Sequence, residues 1–373
     1  MMQNMNPGFQ EQIIQRLGSL YGQSGYFHYK MNKFEEYDLY ARNKDFLISD
    51  SVITFTDLGG KLMALKPDVT LSIVKNSTDR PGVRKLYYHE NVYRINKGDH
   101  GYREIMQVGL EAIGQVDDYT ISEVLLLAAK SLSSISENAV LDVSHLGILT
   151  ELMEALGIPS DSRSSLVKFI SEKNTHEMTD LCHSCGICDE DIDLLRRLIA
   201  LKGTPATVLP QLESLLAGKV DANSLDQFRC VLSSLDGSGV EDLLRIDFSV
   251  VDDLHYYNGF IFKGFVQGLP GSILSGGQYD RLMTKMKRTD RAIGFAVYTD
   301  LLEQLEQPSE DFDVDVVLVY DDSASLADIR THARLLSQQG RSVMVLPEIP
   351  QDIRCKKLLK LSGNEVTLLE NNA

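Results

Sequence analysis

Apolar residues recur every three to four positions at Phe9, Ile13, Leu17 and Leu20, the stripe of an opening helix that Gly22 and Gly25 end. After a mixed stretch through Tyr40, the run from Val52 to Asp57 predicts a strand, Gly59 and Gly60 a hairpin turn, and Lys61 to Leu65 the partner strand. Lys66-Pro67-Asp68-Val69-Thr70 follows and opens a helix from Leu71 to Asn76. The strongest sheet signal runs from Lys85 to Gly114. Two segments rich in Tyr, Val and Ile flank a polar connection, Asn96 to Gly101, and predict a long antiparallel hairpin with a mobile loop. Thr120-Ile-Ser-Glu123 reads as a capping box for an apolar helix to about Leu132, Val140 to Val143 as a strand, and Leu149 to Leu156 as a helix stopped by Gly157 and Pro159. From about 159 to 235 helical stripes such as Ile192, Leu195, Leu198 and Ile199 predict a helical insertion. Sheet character returns at Leu244 to Val251, His255 to Phe262, Ser275 to Asp280 and Ala292 to Val297, before a helix from Thr299. Past the acidic linker Pro308 to Asp313, a strand (Val314 to Tyr320), a helix (Ser325 to Gln338) and a strand (Ser342 to Leu346) make a βαβ unit. The expectation is an α+β protein: a large domain over 1–310 and a small α/β module over 313–373.

Composition narrows the function classes. With 373 residues, 43% apolar and 24% charged, the chain can bury a large core and is ordinary for a globular protein. No apolar run reaches the length of a membrane span, and the first residues form neither a basic nor an apolar signal region, so a cytoplasmic location without membrane contact is expected. Thirty-seven basic against 53 acidic residues give a net charge of −16. A surface that grips a long phosphate backbone needs cations to displace counterions, so an extended nucleic-acid interface is not expected, though a local basic patch stays open. Five cysteines do not suggest a disulfide framework. Cys182, Cys185 and Cys188 are spaced to close on zinc, with His183 or Cys230 able to complete a set. Without a second paired motif they are weak metal candidates, and reduced thiols in a loop are the commoner arrangement.

The hairpin carries the candidate chemistry. Strand alternation points Met106, Val108, Leu110 and Ala112 to one face and Gln107, Gly109 and Glu111 to the other, with Glu90, Val92 and Arg94 together on the first strand. An acid, an amide, a bare glycine and an arginine suit a small zwitterion; a solvated face of a half-exposed sheet is the alternative. Asp68 and Thr70 stand where sheet passes to helix, and could cap that helix or bind a ligand's amine; capping is the commoner role. Gly276, Gly277 and Gly294 leave room for a molecule against the sheet, or permit close packing.

Taken in order, KPDVT, YYHENVYR…YREIMQVGLEAIG, HYYNGFIF, SGGQYD and AIGFAV resemble the catalytic domain of the histidyl-tRNA synthetase family over roughly residues 9–305, apart from the insertion. The resemblance implies the class II synthetase fold, an antiparallel sheet flanked by helices, and a dimer. It implies a histidine pocket of Asp68, Thr70, Gln107, Glu111 and Tyr257, with Arg94 matching the arginine of the second class II motif. Three positions depart from the pattern. Asn96 replaces an acid, Asp252 a catalytic arginine, and Leu301 the arginine that grips ATP in the third motif. Losing one preorganised partner of a developing phosphate charge costs roughly 3–4 kcal/mol, so adenylate formation is not expected. The C-terminal module is also shorter than the family's anticodon-binding domain. A histidine pocket without ATP machinery resembles the synthetase-like regulatory subunits of ATP phosphoribosyltransferase. That resemblance implies a protein with no cofactor and no activity of its own. Such a subunit activates a short catalytic partner in the first step of histidine biosynthesis and relays inhibition by L-histidine. It is expected to be a homodimer within a hetero-oligomer. A functioning amino-acid ligase and an assembly subunit with a relic pocket are the rivals. Glu111 is expected to be ionised at neutral pH and to pair with a cationic group of histidine.

Overall fold

The two halves of the central hairpin fold as strands Val83–Ile95 and Tyr102–Gly114, paired in unbroken register from Val83 opposite Gly114 to Ile95 opposite Tyr102. The computed structural model describes residues 8–43, 52–78, 81–95, 101–251, 256–305, 312–350 and 352–372. The connection 96–100, expected to be a mobile loop, lies outside the described residues. Described residues cluster into two compact units, one within Ile13–Leu301, the other made of the described residues of 302–372 together with 8–12.

In the larger unit nine strands of the described residues form one sheet. Their order is Phe27–His28, Val83–Ile95, Tyr102–Gly114, Arg291–Tyr298, Ser272–Gln278, Phe260–Val266, Ala139–His145, Leu244–Asp247 and Lys202–Gly203. Pairing is antiparallel except between Phe27–His28 and Val83–Ile95 and between Ala139–His145 and Leu244–Asp247. Helix Asp118–Ile135 packs on the face opposite Glu111, where a Cβ on Gly264 would press against Leu132. The Glu111 face is covered near the hairpin by helix Thr70–Asn76 and helix Asp280–Lys285. There Leu71, Ile73, Val74, Leu282 and Met283 form one buried cluster with Tyr88, Val92 and Tyr279. A separate three-stranded sheet pairs Phe34–Glu36, Leu62–Leu65 and Thr54–Thr56.

Helices Ser160–Ser171, Thr175–Ser184, Asp189–Ala200, Pro205–Leu216 and Ala222–Ser233 fill the expected insertion. Lys202–Gly203 within it joins the end of the main sheet. The smaller unit holds a sheet ordered Val343–Leu346, Val314–Tyr320, Cys355–Ser362 and Glu365–Asn371, with helix Leu326–Gln338 against Val316, Leu318, Leu359 and Leu361.

Several local expectations are corrected. The helix after the hairpin starts at Asp118, not Thr120, because Asp117 Oδ1 takes the Thr120 N–H at 2.9 Å and its hydroxyl at 2.7 Å. Glu123, freed from capping, pairs with Lys85 at 2.6 Å. The strand from Leu244 stops at Asp247, whose side chain accepts the Ser249 N–H and turns the backbone. After Thr299 a short 3₁₀ turn, Leu302–Leu305, replaces the expected helix.

Candidate ligand-binding site

Pro67 fixes the approach to helix Thr70–Asn76, and Asp68 Oδ1 accepts the Leu71 N–H at 2.9 Å across its first turn. Asp68 is therefore a helix-capping residue, and a buried one. Burial raises its pKa, partly offset by the Leu71 N–H, the Arg94 charge and the Thr70 N–H. Thr70, the first helical residue, donates its hydroxyl to Glu111 Oε1 at 2.8 Å. The Tyr279 hydroxyl donates to Glu111 Oε2 at 2.5 Å.

Glu111 is only 2% exposed, and among the described residues it makes no ion pair. Burial pushes its carboxyl up to about 8; the Tyr279 and Thr70 bonds pull it down and Asp68 pushes it further up. Burial thus favours the protonated form in the ligand-free protein, whereas the expectation of an ionised Glu111 concerns a site with a cationic group beside it. Strand alternation tells which way a side chain points, but not how deeply a helix and tyrosines from elsewhere will bury it.

Gly294 faces Glu111 across the paired strands. A Cβ there would lie 1.8 Å from Glu111 Oε2 and 2.5 Å from the Leu110 carbonyl oxygen, so only glycine lets the carboxyl lie over this strand. Gly109 does not leave the expected open space. A Cβ on it would lie 2.5 Å from the Tyr88 hydroxyl and 2.3 Å from the Phe295 carbonyl oxygen, so Tyr88 fills the gap between Gln107 and Glu111. Gly277 makes room for the Tyr257 ring in the same way, at 2.8 Å.

Asp68, Thr70 and Glu111 are thus brought together, with Tyr257 on the same face two strands away. Gln107 shares that face and is buried, but the Tyr88 ring stands between it and Glu111. Arg94 reaches Pro67, its Nε donating to the carbonyl at 3.1 Å, while Nη2 is buried with no hydrogen-bond partner among the described residues. Glu90 belongs to the structure: it pairs with the buried Lys66 and accepts the Met31 N–H at 3.1 Å. Residue types alone did not single out Tyr279 or Tyr256, although both lie in the motifs SGGQYD and HYYNGFIF. Tyr256 shares a hydrogen bond with Thr70, and its ring lies 6.0 Å from that of Tyr279.

Cys182 is buried, Cys185 partly so and Cys188 exposed. Their sulfurs turn to separate neighbours, Cys185 to Ser162 Oγ at 3.5 Å and Cys188 to Asp191 at 3.3 Å. Among the described residues no group of three or more His, Cys, Asp or Glu could hold a metal ion. Asn96 and Asp252 lie outside the described residues; Leu301 is half-buried in the turn after strand Arg291–Tyr298. No described helix is long and apolar enough to cross a membrane.

The histidyl-tRNA synthetase family model matches residues 5–302. The chain belongs to the histidyl-tRNA synthetase family. Within this synthetase family it is similar to proteins that are named as regulatory subunits. The ATP phosphoribosyltransferase regulatory subunit of Oceanobacillus iheyensis is 26% identical over 365 residues, 95% of this chain and 89% of that protein. The crystal structure of an ATP phosphoribosyltransferase regulatory subunit/histidyl-tRNA synthetase from Bacillus halodurans superposes with a TM-score of 0.76 at 23% identity, covering 92% of this chain and 91% of that one. A chain of the ATP phosphoribosyl transferase complex from Thermotoga maritima superposes with a TM-score of 0.62 at 18% identity, over 79% of this chain and 98% of that one. The architecture is that of the class II synthetases, an antiparallel-rich sheet flanked by helices.

Proposed function

We propose that this chain is the non-catalytic regulatory subunit of an ATP phosphoribosyltransferase. It would assemble with the short catalytic subunit in the first step of histidine biosynthesis and sense L-histidine at the Glu111 site. One observation carries the reading. Asp68, Thr70, Glu111, Tyr279 and an Arg94 Nη2 without a hydrogen-bond partner among the described residues offer groups that suit an amino acid, while Leu301 stands where the family's ATP-gripping arginine falls. A ligand carboxylate meets the need of Arg94 for an acceptor, and a cationic group beside Glu111 favours its ionised form and pulls its pKa down. Tyr257 closes the far side and Gln107 lines the approach.

Inhibition requires that histidine bind one state of the complex better than another, and a coupling of about 1–3 kcal/mol suffices. The assembly is a homodimer of this chain within a hetero-oligomer in the cytoplasm, and with a net charge of −16 it does not engage tRNA. Co-purification with a short catalytic subunit, followed by phosphoribosyltransferase assays with and without histidine, tests the proposal. Expected are activation on assembly and loss of that activity with histidine. ATP–pyrophosphate exchange with histidine at the rate of an ordinary synthetase overturns it. Activation that is insensitive to histidine removes the sensing role and leaves an assembly subunit with a relic pocket.

A further inference from the structure

The short helix Tyr37–Ala41 packs against strand Leu62–Leu65, which runs directly into Lys66, Pro67 and Asp68. Its Tyr40 is 0% exposed and belongs to the buried cluster that holds Val69, Tyr88 and Tyr279. Burial, Asp68 and Glu35 all raise its pKa, so at neutral pH it is a phenol with a proton to donate. Neither acid accepts that proton. Glu35 takes the Ser72 hydroxyl at 2.9 Å and Lys75 Nζ at 2.6 Å, and Asp68 Oδ1 takes the Leu71 N–H. The Tyr40 hydroxyl is buried without a hydrogen-bond partner among the described residues. A buried hydroxyl left unmet costs stability, and phenylalanine would fill the same space without that cost.

Arg94 is in the same condition. Its Nε is spent on the Pro67 carbonyl, its Nη2 is buried and unmet among the described residues, and its charge acts on Asp68. Four buried side-chain atoms lack a hydrogen-bond partner among the described residues, and two of them belong to residues that interact electrostatically with Asp68. Both of these are donors, and they come from separate elements. Two donors without acceptors suit a group that only accepts and has two oxygens to offer, a carboxylate. In an α-amino acid the ammonium and the carboxylate stand on one carbon, so an acid beside the two donors is placed to take the ammonium.

We propose that the Tyr40 hydroxyl determines specificity in the ligand site: with Arg94 Nη2 it holds the α-carboxylate of a bound amino acid, while Asp68 faces the ammonium. This contact rests on the histidine sensing proposed for the Glu111 site, and it explains how that site would select the whole amino acid over its decarboxylated form.

Tyr40→Phe removes the hydroxyl alone. Calorimetric titration of the full chain, by itself and assembled with the short catalytic subunit, compares L-histidine with histamine, which keeps the imidazole and the amine but has no carboxylate. The variant should bind histidine about tenfold or more weakly, the loss of one hydrogen bond to a charged group, and should bind histamine as the parent does. Its urea midpoint without ligand should equal or exceed the parent's, because an unmet hydroxyl is gone. Parent-like histidine affinity in the variant overturns the proposal and leaves histidine sensing at Glu111 standing. Equal weakening toward histidine and histamine, or a lower urea midpoint, makes the hydroxyl structural and overturns it as well. A parent that binds no histidine in either form overturns the sensing role and this contact together.

Discussion

One face of the main sheet buries carboxylates in two ways. Where Lys202–Gly203 closes the sheet, Asp142 and Asp247 are met by a lysine; burial pushes Asp247 up, but Lys202 and Ser249 outweigh it and hold its pKa below the ordinary range. Over the hairpin, Glu111 is met among the described residues by hydroxyls, from Thr70 and Tyr279, and its pKa rises to about 8. Hydroxyls satisfy hydrogen bonds without supplying charge, so the buried group avoids ionisation instead. Glu90, on the same hairpin face, follows the first pattern through Lys66. A carboxyl with a built-in cation serves the fold. One without a cation is held at a cost to stability and is available to a cation from outside.

The largest expected effect is in the pH dependence of stability. The folded pKa of Glu111, about 8, lies above its ordinary value of 4.5, so between the two the folded state holds the extra proton. Stability should therefore fall as pH rises through that window, by up to several kcal/mol relative to Glu111→Gln. Urea midpoints of both proteins from pH 5 to 8.5 measure this; parallel profiles would erase the contrast between the two ends of the sheet.

Lys202→Met attacks the opposite end. Removing one partner of a buried pair costs about 3–5 kcal/mol, but Lys202 is half exposed and solvent screens it, so a loss of about 2–3 kcal/mol is expected. A change of urea midpoint worth under about 0.5 kcal/mol would mean the cluster does not stabilise the fold.

In the assembled enzyme, Glu111→Gln imitates the protonated carboxyl of the empty site, so assembly and uninhibited activity should survive. Histidine inhibition should weaken roughly 10- to 100-fold, the loss of one charge-assisted bond. An unchanged inhibition curve would put the sensor elsewhere; failed assembly would make Glu111 structural.

Thr70→Val is the finest probe. It removes one hydroxyl donor from Glu111 and should cost about 1 kcal/mol. The midpoint of the pH profile should move up, because a bond that favoured the ionised form is gone. A profile unmoved on the pH axis would show that the Thr70 bond does not tune Glu111.

Much of this contrast was invisible along the chain, although the hairpin itself was plain. A period of two over 13-residue strands sorts Gln107, Gly109 and Glu111 from Val108, Leu110 and Ala112 whatever else the chain does. The ordered motifs likewise carried the fold. Partners distant in sequence were not legible. Glu90 looked like a ligand group until Lys66, 24 residues earlier, was seen to neutralise it. Tyr88, directly opposite Gly109, took the space that residue appeared to offer. Strands Cys355–Ser362 and Glu365–Asn371 escaped notice because their alternation mixes with lysines and glutamates. The cap at Asp117 was lost to Thr120 and Glu123, whose spacing imitates a capping box.

The bond between Tyr279 and Glu111 spans 168 residues, which bears on when the site first exists. At about 5–20 residues per second, roughly 10–30 s of synthesis separate the two. Until Tyr279 and Gly294 have emerged, Glu111 has neither its hydroxyl partner nor its floor, and a nascent chain has no pocket to fill. Closing such a loop is entropically slow, so the site belongs to the late events of folding. A ligand that binds there recognises only chains that have completed the sheet, and so discriminates finished molecules from partial ones.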